Sequence, residues 1–455
     1  MRLPLLLCVI TTALLGCASA PQAPAPHDLP LPSYPTPMTL DGIPVEKIEF
    51  LADDRLTTLL ARAKENNEDI VAAWLSVNRA RAMFRMQENR ALPGVGVSLE
   101  GRSARENPEG PTSRRYSFEL QSTAYECDFF GRVAELKEEA LQSFLAEEAN
   151  TRFVVLEKRA LIANTWIGLL ELHALHQLAK KELSHSQEIL ELIRARVAAG
   201  LDPMSLEVSA SQATYAAQTE FNALGAEIEA ALNALEVLVG ERPSYAEWPR
   251  LGDLAHQATL INPGLPSGLL RRRADIHRAE YDLAGVQADV AAAQAALMPH
   301  FLLTSTTGMA SERLQSLFSG AGTWSLAPAI SLPLFDGGRS AQQLEGTESN
   351  AALAVARYEK TVQQAFREVL DALLRQQHLA DTLHRATRQE GRAEMKRFLA
   401  RAHHDTSVSS RIKRLNQEIL HLRAQGNLTV YTGATLQNRI AIIRALGGDE
   451  PFWVR

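Results

Sequence analysis

Apolar residues recur at helical spacing over two long stretches of the chain. Between residues 133 and 199 they follow one another in steps of three and four, and no proline interrupts them. This spacing places the apolar side chains on one face of a helix. A helix of roughly 65 residues spans on the order of 100 Å at 1.5 Å per residue, and helical periodicity of that length is typical of a coiled coil or a helical repeat. A second stretch of the same kind follows Gly338.

Four shorter stretches alternate apolar and polar residues with a period of two, which predicts β-strands with one apolar face. They form two expected hairpins, at residues 94–128 and 300–335. Such strands fit a transmembrane barrel, in which one face contacts lipid and the other contacts water. A soluble amphipathic hairpin is the alternative. The side chains that we expect to face lipid include Val97, Phe118, Trp324 and Leu326.

Closure of the sheet sets a condition on assembly. Four strands cannot close a membrane barrel, and an open edge in lipid leaves backbone groups without hydrogen bonds. Several chains must therefore share one barrel if these strands lie in a membrane. Pro328 and Pro333 should weaken the fourth strand, because proline cannot donate a ladder hydrogen bond.

The body of the chain is an internal two-fold repeat. The Gly-Arg pair at 131–132 recurs at 338–339, a shift of 207 residues (338 − 131), and such self-similarity marks repeated structural units. An inter-repeat linker is expected at residues 241–268. The first repeat, residues 51–240, comprises a helix, the hairpin at 94–128, a long helix at 132–199 and a helix at 203–239. The second, residues 269–455, comprises a helix, the hairpin at 300–335, a long helix at 338–402, a helix at 406–446 and a short tail.

An export signal and a lipid anchor are expected at the start of the chain. Residues 1–16 hold an apolar run that suits a signal peptide and is too short to span a membrane. The run ends in Leu-Leu-Gly-Cys, which resembles a bacterial lipobox, so lipidation of Cys17 is expected. An ordinary signal peptide is the alternative. Residues 17–50 are rich in proline and predict an extended tether.

Composition and motifs argue against other classes of function. The net charge of −6 argues against a broad nucleic-acid-binding surface. No hydrolase elbow, phosphate-binding loop or dinucleotide fingerprint occurs, so we expect neither an enzyme nor a cofactor. The adjacent pair His403 and His404 lacks an accompanying ligand cluster, so a solvated turn is favoured over a metal site.

Three longer motifs together resemble one family. Residues 125–132, Tyr-Glu-Cys-Asp-Phe-Phe-Gly-Arg, are similar to the strand-to-helix signature of the outer-membrane factors, the TolC-like exit ducts. Residues 264–276 and 327–339 are similar to the corresponding signatures of the lipoprotein branch that serves RND efflux pumps. The resemblance covers about residues 40–450.

This resemblance implies a fold, partners and a location. The implied fold is mixed α and β, a homotrimeric outer-membrane β-barrel with four strands per chain, continued by a long α-helical barrel in the periplasm. The implied function is the passive exit duct of a tripartite efflux system, with a periplasmic adaptor protein, an inner-membrane transporter and outer-membrane lipid as partners. An exit duct for type I protein secretion and a coiled-coil structural lipoprotein without a pore are the alternatives. The cargo, whether drug, metal ion or peptide, is left open.

The resemblance also implies that the turns at the far ends of the long helices contact the adaptor and close the tunnel. Asp405 stands where the family has glycine, and the second turn is more basic than the first. Arg414 could alternatively point outward and pair with Glu418 four residues later. The expected adaptor-contact residues are Arg196, Gly200, Leu201, Asp202, Arg401 and Asp405, and the expected aperture residues are Arg411 and Arg414.

Overall fold

The computed structural model describes residues 43–44, 53–105, 112–122, 124–243, 248–256, 261–262, 272–319, 321–402 and 407–448. The expected signal peptide, Cys17 and Asp405 lie outside these ranges, as does most of the proline-rich tether.

Helices dominate the described chain, and two of them are very long. The α-helices are α1 (Asp54–Asn66), α2 (Glu68–Asn89), α3 (Arg132–Ala198), α4 (Met204–Val239), α5 (Leu251–His256), α6 (Ala274–Ala295), α7 (Arg339–Ala402) and α8 (Val408–Ala445). The strands are β1 (Ile43–Pro44), β2 (Val95–Ala104), β3 (Ser113–Ser122), β4 (Tyr125–Cys127), β5 (Ile261–Asn262), β6 (His300–Ser311) and β7 (Ala321–Ser331). The expected mixture of α-helices and antiparallel strands is confirmed at this level.

The chain divides into two compact units. The first, the sheet unit, comprises the described parts of residues 83–143 and 280–358. The second, the helical unit, comprises residues 33–82, 144–279 and 359–455. Helices α2, α3, α6 and α7 each contribute residues to both units.

The sheet unit is built on one antiparallel sheet. Strand β3 pairs with β2 and with the distal half of β6, while β4 pairs with the beginning of β6 and β7 pairs along the other side of β6. Strands β3 and β4 therefore act as one interrupted strand, which the sequence pattern did not predict. Within the described residues, β2 and β7 are the outer strands, each paired on one side only, and the short β4 pairs only with β6.

Proline disrupts β7, the fourth of the strands predicted from the sequence, less than expected. Pro328 lies inside β7, opposite Leu303, whereas Pro333 falls after the strand has ended. Strand β7 is an outer strand of this sheet, and outer strands tolerate a residue that lacks an N–H group. The strand therefore forms in spite of the proline.

The helical unit has a large apolar core. Its centre is Trp166 of α3, which is fully buried and donates its indole N–H to Asp53 Oδ2 over 2.8 Å. Asp53 also caps α1 through a bond from the Arg55 amide. Ile440 of α8 and Leu235 of α4 are fully buried in the same cluster. Apolar stripes from several helices thus meet in one place, as their helical periodicity requires.

One buried arginine joins three segments of the helical unit. Arg273, of which 5% of the side chain is exposed, lies just before α6 and donates to Asp275 over 2.7 Å and to Glu368 of α7 over 3.0 Å. A further bond of 2.7 Å reaches the Ala445 carbonyl at the end of α8. Burial by itself would lower the pKa of Arg273, but the two carboxylates outweigh it and raise that pKa. Residues 271–273 are three consecutive arginines in the sequence, and Arg273, the last of them, has a structural role.

None of the described helices combines the length and the apolar composition required to cross a membrane.

Candidate functional site

The strand register places the expected lipid-facing residues on one face of the sheet. Val97 lies opposite Leu120, and Thr307 lies opposite both Leu120 and Trp324. Directly paired residues share a face, so Val97 and Trp324 lie in one row across all four strands. Leu326 follows two positions after Trp324 on the same face. The exposed fractions are 63% for Val97, 80% for Trp324 and 58% for Leu326.

Phe118 belongs to the same face but is half-buried. It lies opposite Leu99 and Met309 in the next row of the sheet. Its ring packs on Phe318 of the 3₁₀ helix Leu314–Ser319, with the ring centroids 5.8 Å apart. The β6–β7 connection therefore covers part of the apolar face, and Phe318 is itself 71% exposed.

The opposite face of the sheet is polar. Its members include Ser98 opposite Glu119, Glu100 opposite Ser117, and Arg102 opposite Arg115. Strands β6 and β7 contribute Thr306 opposite Ser325, whose hydroxyl oxygens lie 2.7 Å apart. A sheet with one apolar and one polar face can separate a lipid environment from water.

Both long helices begin in the same way, at a capped junction with the sheet. Asp128 accepts a bond of 2.8 Å from the Ala134 amide in the first turn of α3. Asp336 accepts a bond of 2.8 Å from the Ser340 amide in the first turn of α7. A carboxylate at this end satisfies free N–H groups and complements the helix dipole. Gly131 and Gly338 precede the helices with φ values of 80° and 86°, which explains why glycine recurs there.

A charged cluster lies at the first junction on the polar side of the sheet. Glu126 of β4 accepts from Arg132 Nε over 2.9 Å, and His300 Nδ1 of β6 lies 3.1 Å from Glu126 Oε1. The cluster fixes the end of β4 to both α3 and β6. Glu126 belongs to the motif at residues 125–132, but no local sequence pattern indicates this role.

The turns at the far ends of the two long helices, where adaptor contacts are expected, are called the tips. The first tip is a well-formed turn after α3. The Gly200 amide donates to the Val197 carbonyl and the Leu201 amide donates to the Arg196 carbonyl, each over 2.9 Å, and φ of Gly200 is 71°. This is the Schellman motif, which requires a left-handed residue at the glycine position. The Arg196 guanidinium donates two bonds, of 2.7 and 2.9 Å, to Asp202. These bonds lower the pKa of the Asp202 carboxyl.

The same tip exposes a group of apolar side chains. Leu201 is 66% exposed and Met204 is 62% exposed, and Leu206 and Val208 of α4 are also exposed. Apolar residues that cluster at a helix turn, next to a rigid ion pair, form a surface suited to contact with another protein.

The second expected tip is organised by ion pairs. Arg401 of α7 donates to Glu418 of α8, with the closest atoms 2.6 Å apart, and Arg397 lies 3.6 Å from the same carboxylate. Arg411 pairs across to Glu188 of α3 over 2.6 Å. Glu418, the alternative partner considered for Arg414, is thus occupied by two other arginines, and Arg414 is half-buried and in contact with other groups.

An amphipathic sheet joined to paired long helices with capped junctions and exposed tips defines a class of outer-membrane proteins. The family model described as "Outer membrane efflux protein" matches residues 59–241 and 265–448. The two matched segments overlap the two repeats expected at residues 51–240 and 269–455. The chain therefore belongs to the outer membrane efflux protein family.

Curated proteins and solved structures agree with this assignment. The chain is 31% identical to the antibiotic efflux pump outer membrane protein ArpC of Pseudomonas putida, over 98% of this chain and 95% of that protein. It is 28% identical to the cation efflux system protein CusC of Escherichia coli O157:H7, over 96% of this chain and 97% of that protein. The crystal structure of a membrane protein from Pseudomonas aeruginosa superposes with a TM-score of 0.81 and 28% identity, over 92% of this chain and 97% of that chain.

Proposed function

We propose that the chain is the outer-membrane channel of a tripartite efflux system. In this proposal it is a passive duct that carries small molecules from an inner-membrane transporter and a periplasmic adaptor to the cell exterior. The observation that carries the proposal is the sheet, which has one apolar face, one polar face and two outer strands paired on one side only. Membership of the efflux family supports the same conclusion.

The working form is a trimer that shares one β-barrel. Four strands per chain cannot close, and an unpaired edge in lipid costs several kcal/mol per exposed backbone group. Pairing of β2 of one copy with β7 of the next would satisfy both edges. The long helices α3 and α7 would then continue the duct as an α-helical barrel in the periplasm, in the outer membrane of a Gram-negative bacterium.

Anchoring by lipid is a second part of the proposal. Cys17 would be acylated and would hold the mature chain at the membrane surface through residues 17–50. Two or more acyl chains are needed for stable anchoring. Mass spectrometry of the mature N-terminus tests this step, and an unmodified Cys17 would contradict it.

The two tips are the proposed contacts with the adaptor. The rigid Arg196–Asp202 pair and exposed Leu201 suit a fixed docking surface at the first turn. Arg401 and Asp405 are the proposed contact residues at the second turn. Arg411 and Arg414 are the proposed aperture residues.

A coiled-coil lipoprotein without a pore is less well supported, because a scaffold has no need of an apolar face across four strands. A duct for type I secretion would share this sheet, but the similar proteins ArpC and CusC carry efflux names. The decisive experiment combines native mass spectrometry of detergent-extracted protein with conductance across a planar bilayer. A three-chain mass and a stable conductance are expected. A folded monomer that is soluble without detergent would contradict the proposal.

A further inference from the structure

Two arginines face each other on the polar side of the sheet. Arg102 of β2 and Arg115 of β3 are direct partners in the ladder, two positions before it ends at the pair Ala104–Ser113. Both side chains are exposed. The β2–β3 connection follows that end, whereas the junctions with the long helices lie at the other end of the strands. The arginine pair therefore lies at the loop end of the polar face.

This arrangement is electrostatically unfavourable by itself. Like charges that lie directly opposite one another in an antiparallel pair destabilise the sheet. Glu100 is the nearest carboxylate on this face along β2, two positions before Arg102 and opposite Ser117. Among the described residues, however, no ion pair forms between either arginine and a carboxylate.

The neighbouring strands bring one carboxylate near this level, Glu312, which directly follows the last residue of β6, and among the described residues it forms no ion pair with Arg115. Ser117 of β3 lies opposite Ala310 of β6, and Ala310 lies opposite Ala321 of β7. The next polar-face residue of β7 is Thr323. If β7 of another copy pairs with β2, as proposed above, the described part of that strand brings no acidic side chain to this face.

We propose that Arg102 and Arg115 form a binding site for the oxyanion groups, carboxylate or phosphate, of solutes in the lumen. This inference rests on the proposed channel function. Each guanidinium offers a planar fork of donors that matches such oxygens, and an anion between two guanidiniums removes their mutual repulsion. A trimer would present the site three times at the loop end of the duct. Because both side chains are exposed, binding should be weak and reversible, which suits a solute that must leave.

The test uses block of the channel current by inorganic pyrophosphate. The trimer is inserted into a planar bilayer, and pyrophosphate is added separately on the two sides. We expect block from the loop side. Arg102→Gln and Arg115→Gln should each raise the half-blocking concentration roughly tenfold, the loss expected for one charge-assisted hydrogen bond. Arg114→Gln is the matched control, because Arg114 pairs with Ser103 on the other face.

The outcomes separate this inference from the channel function. Equal block of the wild type and both glutamine variants would overturn the site, as would an equal shift in Arg114→Gln, which would show only a diffuse surface potential. If a glutamine variant does not assemble, the charge-retaining Arg102→Lys is measured, and unchanged block in that variant also overturns the site. A wild-type protein that opens no conductance would overturn the proposed channel and this inference with it.

Discussion

Gly308 lies at a close approach between the two halves of the sheet. It lies in β6 opposite Glu119, within the β3–β6 ladder that joins the first hairpin to the second. A methyl group added at Gly308 would overlap the carbonyl oxygen of Phe118 and lie 2.7 Å from the Cα atom of Glu119. Its φ is not positive, so space and not backbone conformation is the constraint. We predict that Gly308→Ala separates the two hairpins locally.

The expected loss of stability in Gly308→Ala follows from which atoms would have to move. The overlapping atoms belong to the backbone of β3, so no side-chain rotation can relieve the contact. Overpacking costs typically about 1–3 kcal/mol, and each ladder bond that weakens adds about 0.5–1.5 kcal/mol. We therefore expect a loss of about 2–4 kcal/mol per chain, and a trimer would contain three such defects.

The assay is thermal dissociation of the purified trimer in detergent, read by native electrophoresis and by tryptophan fluorescence. Gly96→Ala is the control, since Gly96 lies on the polar face of β2 and an added methyl would meet only the Gln121 carbonyl oxygen at 4.0 Å. Gly308→Ala should dissociate at a clearly lower temperature than either the wild type or Gly96→Ala. Equal dissociation temperatures for all three proteins would refute the close approach of β3 and β6.

Three further predictions follow from other parts of the chain. Phe118→Arg places a charge on the apolar face and should reduce stability in lipid by roughly 2–4 kcal/mol if Phe118 lies at the bilayer midplane. Folding into vesicles at increasing urea concentrations measures this loss of stability. A yield of folded protein equal to that of the wild type at every urea concentration would contradict the prediction. Burial raises the pKa of the Glu171 carboxyl to about 7, so the folded state favours the protonated form, and stability should decline as the pH rises from about 4.5 to about 7. Glu171→Gln should remove that decline in thermal melts, and parallel pH profiles of the two proteins would argue against a buried carboxyl. Arg414→Asp should shift the reversal potential under a salt gradient toward cations if Arg414 lines the aperture, and an unchanged ion preference would exclude it from that position.

The long helices were the most predictable elements of the chain. The repeated glycine before each helix and the uninterrupted apolar stripe predict beginnings at residues 132 and 338, and the helices begin at Arg132 and Arg339. Both signals are local, because a helix depends on residues three and four positions apart. Strand alternation likewise assigned Val97, Phe118 and Trp324 to one parity in advance, and the observed register brings them to one face.

Other features depend on contacts between distant segments, and no local pattern reveals them. In sequence Arg273 is only the last of three consecutive arginines, but it is buried because Glu368 and the Ala445 carbonyl reach it from other helices. The role of Gly308 likewise arises only when β3 pairs with β6. For Arg411, the partner Glu188 lies 223 residues away in sequence. Sequence periodicity identifies the face of an element but not the partner that contacts it.

The two outer strands also bear on how copies of this protein find one another. A chain that has formed its sheet but has not yet met its neighbours offers two free edges, either of which can pair in a wrong register or with an unrelated strand. Such mispairing can occur until the chains have met, so its extent depends on the local concentration of copies. If Cys17 is acylated as proposed, every copy would be confined to the same membrane surface. The chains would then meet by diffusion in two dimensions instead of three. The acyl anchor would then shorten the time during which the strand edges are unpaired before assembly. In the assembled trimer these edges would be paired, so the anchor would no longer serve this purpose.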